Sequence, residues 1–371
     1  MECNSVLHGD LHLSTCPRCG GLLILEYKEP VFTVSESEVG IWRYSSLLPD
    51  FSRKLFLGEG LTPIRRLGGS ENVFIKDEGR NPTGSYADRA SAIITSYLSN
   101  LDTPGGMVTV RYVEDFTKSL VEYIGYFNST ESILVHAPDI SSIGVEDLIY
   151  IASKNVGITR DPRSLKGVYV DYANPLTVEG LKTIAFEIYE SRVKAENIVV
   201  PAETGLLAFS IRKGLEELRR SGVEVDYRVV AVHVESRETP YLLKLLNVEI
   251  VKISDEEAYE ALKTLISRGF KVKPIAAISF YVSENLGNSI AILSGGFKRA
   301  LRSRQESMVK KTIIEVLRRK GSTTAYGIWR EKPVYTLRGF YKALKSMEKN
   351  REICYEITSK GKRKVKLYKL C

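Results

Sequence analysis

Two groups of residues in this sequence have the types and spacing to do chemistry without reference to any other protein. Cys16-Pro17-Arg18-Cys19-Gly20-Gly21 carries the two-thiol spacing of a zinc knuckle. A structural zinc needs four ligands, and Cys3 with His8 or His12 completes a set of three thiols and one imidazole. The expected ligands are therefore Cys3, His8, Cys16 and Cys19; the alternative is a relic knuckle without metal. The second group is basic. Arg338, Lys342, Lys345 and Lys349 fall on one face of a helical pattern headed by Thr336, and Lys360, Lys362, Arg363 and Lys364 crowd a glycine-containing turn. Such a set suits the neutralisation of nucleic-acid phosphates, against the plainer reading of a solvated charged face. No Ser/His/Asp set, phosphate-binding loop or internal repeat is present. His136, inside the apolar run Ile133–Ala137, reads as a satisfied strand-end group, and Cys354 and Cys371 read as strand residues.

The elements that must position these groups belong to a chain of 371 residues, long enough for two or three domains. Hydrophobic content of 43% with 26% charged residues excludes wholesale disorder. No stretch approaches the ~18 apolar residues of a membrane span. The opening Met1-Glu2-Cys3-Asn4 lacks a signal-peptide layout, so the expected compartment is the cytoplasm. Five cysteines make no disulfide framework, and the single glutamine, Gln305, hints at a thermophilic source. The net charge of +8 divides unevenly. Lys298 to Cys371 holds 22 Lys and Arg against 6 Glu and no Asp, a net +16, and the preceding 297 residues hold 31 basic and 39 acidic groups, a net −8. An acidic body with a basic tail is the asymmetry of a nucleic-acid-binding appendage.

The tail has the periodicity of a folded unit. Val309, Ile313, Val316 and Leu317 line one helix face before Gly321, a C-cap residue. Ser322-Thr323-Thr324 offers N-cap chemistry for a short helix over Ala325–Glu331, and Pro333 follows it. Leu337, Phe340, Leu344 and Met347 mark a third helix; Ile353, Tyr355 and Ile357, then Val365, Leu367 and Leu370, mark two strands joined by the basic turn. Residues 306–371 thus resemble the winged helix-turn-helix family. The resemblance implies double-stranded DNA as partner, with the 336–349 helix reading the major groove and the 359–364 turn touching phosphate.

The body carries a longer series of motifs. They are LGEGLTPI and VFIKDEGRNPTGSYADR between Leu57 and Arg89, NPLTVEGLKTIAFEI at 174–188, ISDEEAYEAL at 253–262 and ILSGGF at 292–297. In this order, over about 270 residues, they resemble threonine synthase and its relatives, the fold-type II enzymes that use pyridoxal phosphate (PLP). The resemblance implies an α/β body over 30–300 with a cofactor cleft between two domains. Residues 1–29 form a zinc-ribbon-like segment before it, and 306–371 the winged helix after it. It also implies ligand-binding roles for Lys76, Asn81, Thr83, Gly84, Ser85 and Thr204, with a small amino-acid-like or anionic effector as partner, and a homodimer. The competing reading of these residues is scaffold: Pro and Gly fix turns, Asp88 and Arg89 form an ion pair, and Ser or Thr caps helices.

The sequence departs from the family where its chemistry lies. The family's Gly-Ser-Phe/Tyr-Lys-Asp-Arg run contains the lysine that bonds the cofactor aldehyde; here Gly84-Ser85-Tyr86-Ala87-Asp88-Arg89 places Ala87 there. The family's Ser-x-Gly-Asn loop, which contacts the cofactor ring, is replaced by Arg111-Tyr112-Val113-Glu114-Asp115. Its glycine-rich phosphate loop is replaced by Ala202-Glu203-Thr204-Gly205, with a carboxylate facing the phosphate position. These losses predict a pseudoenzyme that binds no PLP: a DNA-binding transcriptional regulator whose body senses a metabolite or dimerises, with zinc as the one metal to be considered. Two alternatives stand beside it. One is a PLP-dependent lyase of threonine synthase type with a substitute base, for which Lys76 and Lys182 are the lysines in retained motifs; the other is a protein-docking module.

Overall fold

The computed structural model describes residues 3, 5–7, 11, 13–67, 72–101, 106–127, 132–154, 156–161, 167–246, 248–296, 308–331, 337–349, 352–360 and 363–371. The chain divides into two compact units, Met1–Lys298 and Arg299–Cys371. Among the described residues no helix is long and apolar enough to cross a membrane.

The larger unit is built on two sheets. Its strands are β1 (Ile64–Arg66), β2 (Val73–Asp77), β3 (Met107–Arg111), β4 (Ser132–His136), β5 (Gly157–Thr159), β6 (Val168–Val170), β7 (Asn197–Pro201), β8 (Arg228–Val234), β9 (Glu249–Ile253) and β10 (Ser289–Leu293). Six form one sheet in the order β1-β2-β10-β7-β8-β9, parallel except for the edge strand β1. Four form a second, all-parallel sheet in the order β5-β4-β3-β6. Strands covered on both faces read as continuous apolar runs. β7 and β10 are buried at every residue, and β8 from Val229 onward.

The helices of this unit are α1 (Ala87–Leu98), α2 (Phe116–Phe127), α3 (Val145–Ser153), α4 (Pro175–Ser191), α5 (Leu206–Arg220), α6 (Tyr241–Leu245), α7 (Asp255–Ser267) and α8 (Pro274–Leu286). Asn174 caps α4 by accepting from the Thr177 amide at 2.9 Å, and Pro175 occupies its first turn, where no amide donor is needed. α4 is buried from Pro175 to Ile188, so it is a core helix. Two glycines permit its close packing. A Cβ at Gly180 would lie 2.5 Å from the Arg89 carbonyl of α1, and one at Gly214 of α5 would lie 2.7 Å from the Lys182 carbonyl. Ser254 and Glu257 form a reciprocal capping box at the start of α7.

The smaller unit runs α9 (Met308–Lys320), β11 (Ser322–Thr324), α10 (Ala325–Glu331), α11 (Leu337–Lys349), β12 (Ile353–Lys360) and β13 (Arg363–Leu370). Its sheet has the order β11-β13-β12, antiparallel throughout. Ile313, Leu317, Ile328, Phe340, Leu344 and Met347 share one core. Gly321 ends α9 at φ +74°, its amide bonded to the Leu317 carbonyl at 2.8 Å. Ser322–Thr324, expected to supply only a cap, pairs with β13; Thr324 Oγ1 also accepts from the Gly327 amide at 3.0 Å, so the segment does both. Cys354 and Cys371 form a disulfide across the hairpin, which their reading as plain strand residues did not include.

Candidate active site

A cavity of about 230 Å³ lies in the larger unit at the C-terminal ends of three parallel strands. Open α/β sheets present ligands at that end, where strand ends and helix starts converge. Glu114 and Asp115 enter it from the turn after β3, Thr204 and Gly205 from the turn after β7, and Ser294 from the end of β10. Tyr86, the residue before α1, forms another part of the wall. Ala87 is fully buried as the first residue of α1 and is not among the lining residues.

A lysine also lines the cavity. Lys273, immediately before α8, has a side chain only 15% exposed. Its amine donates to Glu114 Oε1 at 2.6 Å and to Asp115 Oδ1 at 2.8 Å. Burial alone would lower the Lys273 pKa, but the carboxylates of Asp115 and Glu114 outweigh it and hold it above the usual lysine range. Burial in turn raises Asp115, with Lys273 opposing. The remaining polar side chains of the lining are the hydroxyls of Tyr86, Thr204 and Ser294 and the carboxylate of Glu203. Tyr86 and Tyr172 share a hydrogen bond at 2.8 Å, in which one phenol donates and the other accepts, and burial raises both above the usual tyrosine range. Gly295 lies behind Asp115; a Cβ there would come within 3.3 Å of Asp115 Oδ2.

The expected ligand-binding residues occupy two different settings. Thr204 lines the cavity. Lys76, Asn81, Thr83, Gly84 and Ser85 do not. Lys76 is buried, donating to the Thr62 carbonyl at 2.8 Å and pairing with Glu187. Asn81 bonds Glu78 Oε2 at 2.7 Å, Thr83 bonds Asp88, and the Gly84 carbonyl accepts from Gly296 at 2.9 Å. Ser85 accepts from the Ala87 amide at 3.2 Å. Arg89 pairs not with Asp88 but with Glu78, at 2.7 Å, and Glu187, at 2.6 Å, all fully buried. Lys182 is buried between Glu179 and Glu217 beneath the Tyr27 ring. Neither Lys76 nor Lys182 reaches the cavity. Lys273, which sequence reasoning missed, does; its one local signal is Pro274, which starts a helix and so places Lys273 at a loop mouth.

Glu203 lines the cavity edge, but its carboxylate turns to Arg237 on the half-exposed rim. The first turn of α5, a 15-residue helix, begins at Gly205, which holds φ +81°. Such a turn presents unsatisfied backbone N–H groups and the positive end of the helix dipole. Around this volume stand one amine, three hydroxyls and a helix N-terminus, but also three carboxylates, Glu114, Asp115 and Glu203, and no second cation among the lining residues, a set that does not match the phosphate of PLP.

At the N-terminus the sulfurs of Cys3, Cys16 and Cys19 converge, all within 4.8 Å of one another, with Cys3 Sγ 3.7 Å from Cys16 Sγ. Hydrogen bonding to Ser5 holds Cys3 down to about 6, toward the thiolate that a metal takes. His8 and His12 lie outside the described residues. In the smaller unit Lys342, Lys345 and Lys364 are exposed. The side chains of Arg338, Lys349, Lys360 and Arg363, and all of Thr336 and Lys362, lie outside the description.

No protein-family model matches the chain. It is 27% identical to the threonine synthase of Methanocaldococcus jannaschii over 251 residues, covering 60% of this chain and 61% of that protein's length. It is 25% identical to the threonine synthase of Methanosarcina acetivorans over 305 residues, covering 75% of this chain and 74% of that one. Among solved structures, a pyridoxal 5'-phosphate-dependent aspartate racemase matches with a TM-score of 0.52 at 14% identity, over 64% of this chain and 91% of that one. Serine racemase from Dictyostelium discoideum matches with a TM-score of 0.51 at 13% identity, over 64% and 93%. The larger unit has the α/β fold of these enzymes.

These likenesses correct three expectations. The reading as a DNA-binding transcriptional regulator, with transcription regulation as its role, the pseudoenzyme status and the absence of PLP all give way. The relatives are named threonine synthases and the structural neighbours include a PLP-dependent racemase, which points to a PLP-dependent enzyme. The physical reasons lie in the cleft. Ala87 removes one amine but not every amine, because the fold brings in Lys273. Glu203 is paired with Arg237 on the half-exposed rim.

Proposed function

We propose that the larger unit is a PLP-dependent enzyme acting on a small amino-acid-like substrate, a lyase of the threonine synthase type with a substitute base. The observation that carries this reading is the cavity at the ends of β3, β7 and β10, lined by the Lys273 amine together with Glu114 and Asp115. When bound, PLP supplies an electron sink for a carbanion at the substrate α-carbon. The chain's own residues do the rest. Thr204, before the first turn of α5, accepts from the Leu206 amide at 3.3 Å and lines the same cavity. Ser294, at the end of β10, and Tyr86 would offer uncharged hydroxyls to a bound ligand. Lys273 and Asp115 form a proton-holding pair at the cavity wall, where exclusion of water strengthens their interaction.

The experiment is phosphate release from O-phosphohomoserine by the full chain, with and without added PLP. Release that depends on PLP is expected. Equal rates in both arms, at the no-protein background, would overturn the reading.

The smaller unit we assign to the winged helix-turn-helix fold. Its helix and strand order, α9-β11-α10-α11-β12-β13 around one core, supports that assignment.

A further inference from the structure

We propose that the larger unit holds a second site, a binding site for a small multivalent anion, between β1, the end of β2 and the connection from α7 to α8. It is separate from the cavity at the ends of β3, β7 and β10, and it does not rest on the cofactor reading above. Its cavity measures about 410 Å³, against about 230 Å³ for the other. The charges of the two linings are opposite. The first sets Glu114, Asp115 and Glu203 against one lysine, Lys273. This one sets four cations, Arg65, Arg80, Arg268 and Lys271, against one carboxylate, Asp77. A concave wall of one sign concentrates the field and draws in counter-ions.

Like charges gathered in one hollow repel each other until something neutralises them. Two of the four are partly served by the protein. Arg80 Nε donates to Asp77 Oδ2 at 2.9 Å, and Arg268 lies 3.2 Å from Glu284, which is outside the lining. The side chains of Arg65 and Lys271 are exposed and have no ion pair among the described residues. The planar fork of an arginine matches the paired oxygens of a phosphate or a carboxylate. Two glycines bring the walls together. A Cβ at Gly79 would lie 3.4 Å from the Gly296 amide nitrogen, and one at Gly296 would lie 2.4 Å from the Lys271 carbonyl. The turn after β2, the segment after β10 and the connection before α8 therefore close on one another, and their cations share one hollow. Val272 lines this cavity and Lys273 the other, so an anion bound here lies next to the candidate active site along the chain, as an effector would.

The test is titration calorimetry of the full chain at physiological ionic strength in a buffer free of phosphate, with pyrophosphate and citrate as separate titrants. One site per chain for at least one of them is expected; pyrophosphate alone identifies a phosphate-bearing ligand, and citrate alone a polycarboxylate. Arg65→Glu and Lys271→Glu, both at exposed positions, should keep the thermal midpoint and weaken that binding about tenfold or more. Arg65→Gln and Lys271→Gln serve as milder variants with a loss in the same direction. Lys342→Glu combined with Lys345→Glu, in the basic smaller unit, should leave the binding unchanged. Binding of neither titrant overturns the inference. So does an affinity that survives both Arg65→Glu and Lys271→Glu, or one that falls with the smaller-unit pair instead. The functional reading stands or falls by its own phosphate-release experiment, which none of these outcomes touches.

Discussion

At the scale of single residues, the motifs that resemble an active site are mostly its foundation. Arg89 sits between Glu78 and Glu187, and Lys76 completes the cluster, all without solvent contact. Burial alone would raise Glu187, yet Arg89 and Lys76 pull it down to about 2 from an ordinary 4.5. A carboxylate with a depressed folded-state pKa contributes stability that is present above its unfolded value and lost as pH falls toward the folded one. The window here is pH 4.5 down to 2. Denaturant unfolding across that window should show a steep loss of stability for the natural chain. Glu187→Gln should lower stability at pH 7 by about 3–5 kcal/mol, because two buried cations lose a partner. It should also show a shallower acid slope; an unchanged slope would mean that Glu187 does not titrate with folding. Lys76 looked substrate-facing in the sequence because a buried ion pair and a substrate contact use the same residue types. Only coordinates separate them.

At the scale of elements, the helices were legible and their contacts were not. α9 and α11 show in the sequence because one apolar stripe faces one small core. β11 did not, since a three-residue strand of Ser and Thr has no pattern to read. Lys273 was invisible for a different reason. It lies 158 positions from Asp115 and within no motif, so nothing local links them. Packing of α1 on α4 depends on Gly180, whose hydrogen faces the backbone of Arg89 and Ala90 at distances a methyl cannot share. Gly180→Ala should therefore destabilise the larger unit by about 1–3 kcal/mol despite the better helix propensity of alanine. A thermal midpoint equal to or above that of the natural chain would show that α1 and α4 part without cost.

At the scale of the whole molecule, the charge of +8 combines an acidic enzyme-like body and a basic tail, and the body's chemistry is what the relatives speak to. Its fold was readable from the order of its motifs over 30–300. Its reading as a pseudoenzyme rested on three departures, at Ala87, at Arg111–Asp115 and at Ala202–Gly205, and the relatives named threonine synthase point instead to a PLP-dependent enzyme. A cleft is a property of several strand ends at once, and a lost side chain on one wall leaves the others in place. Equilibrium dialysis of the purified full chain against PLP tests this most directly, read by the visible absorbance of the retained protein. One PLP per chain, displaced by competing phosphate, is the predicted result; no retention above that of an unrelated control protein would contradict it.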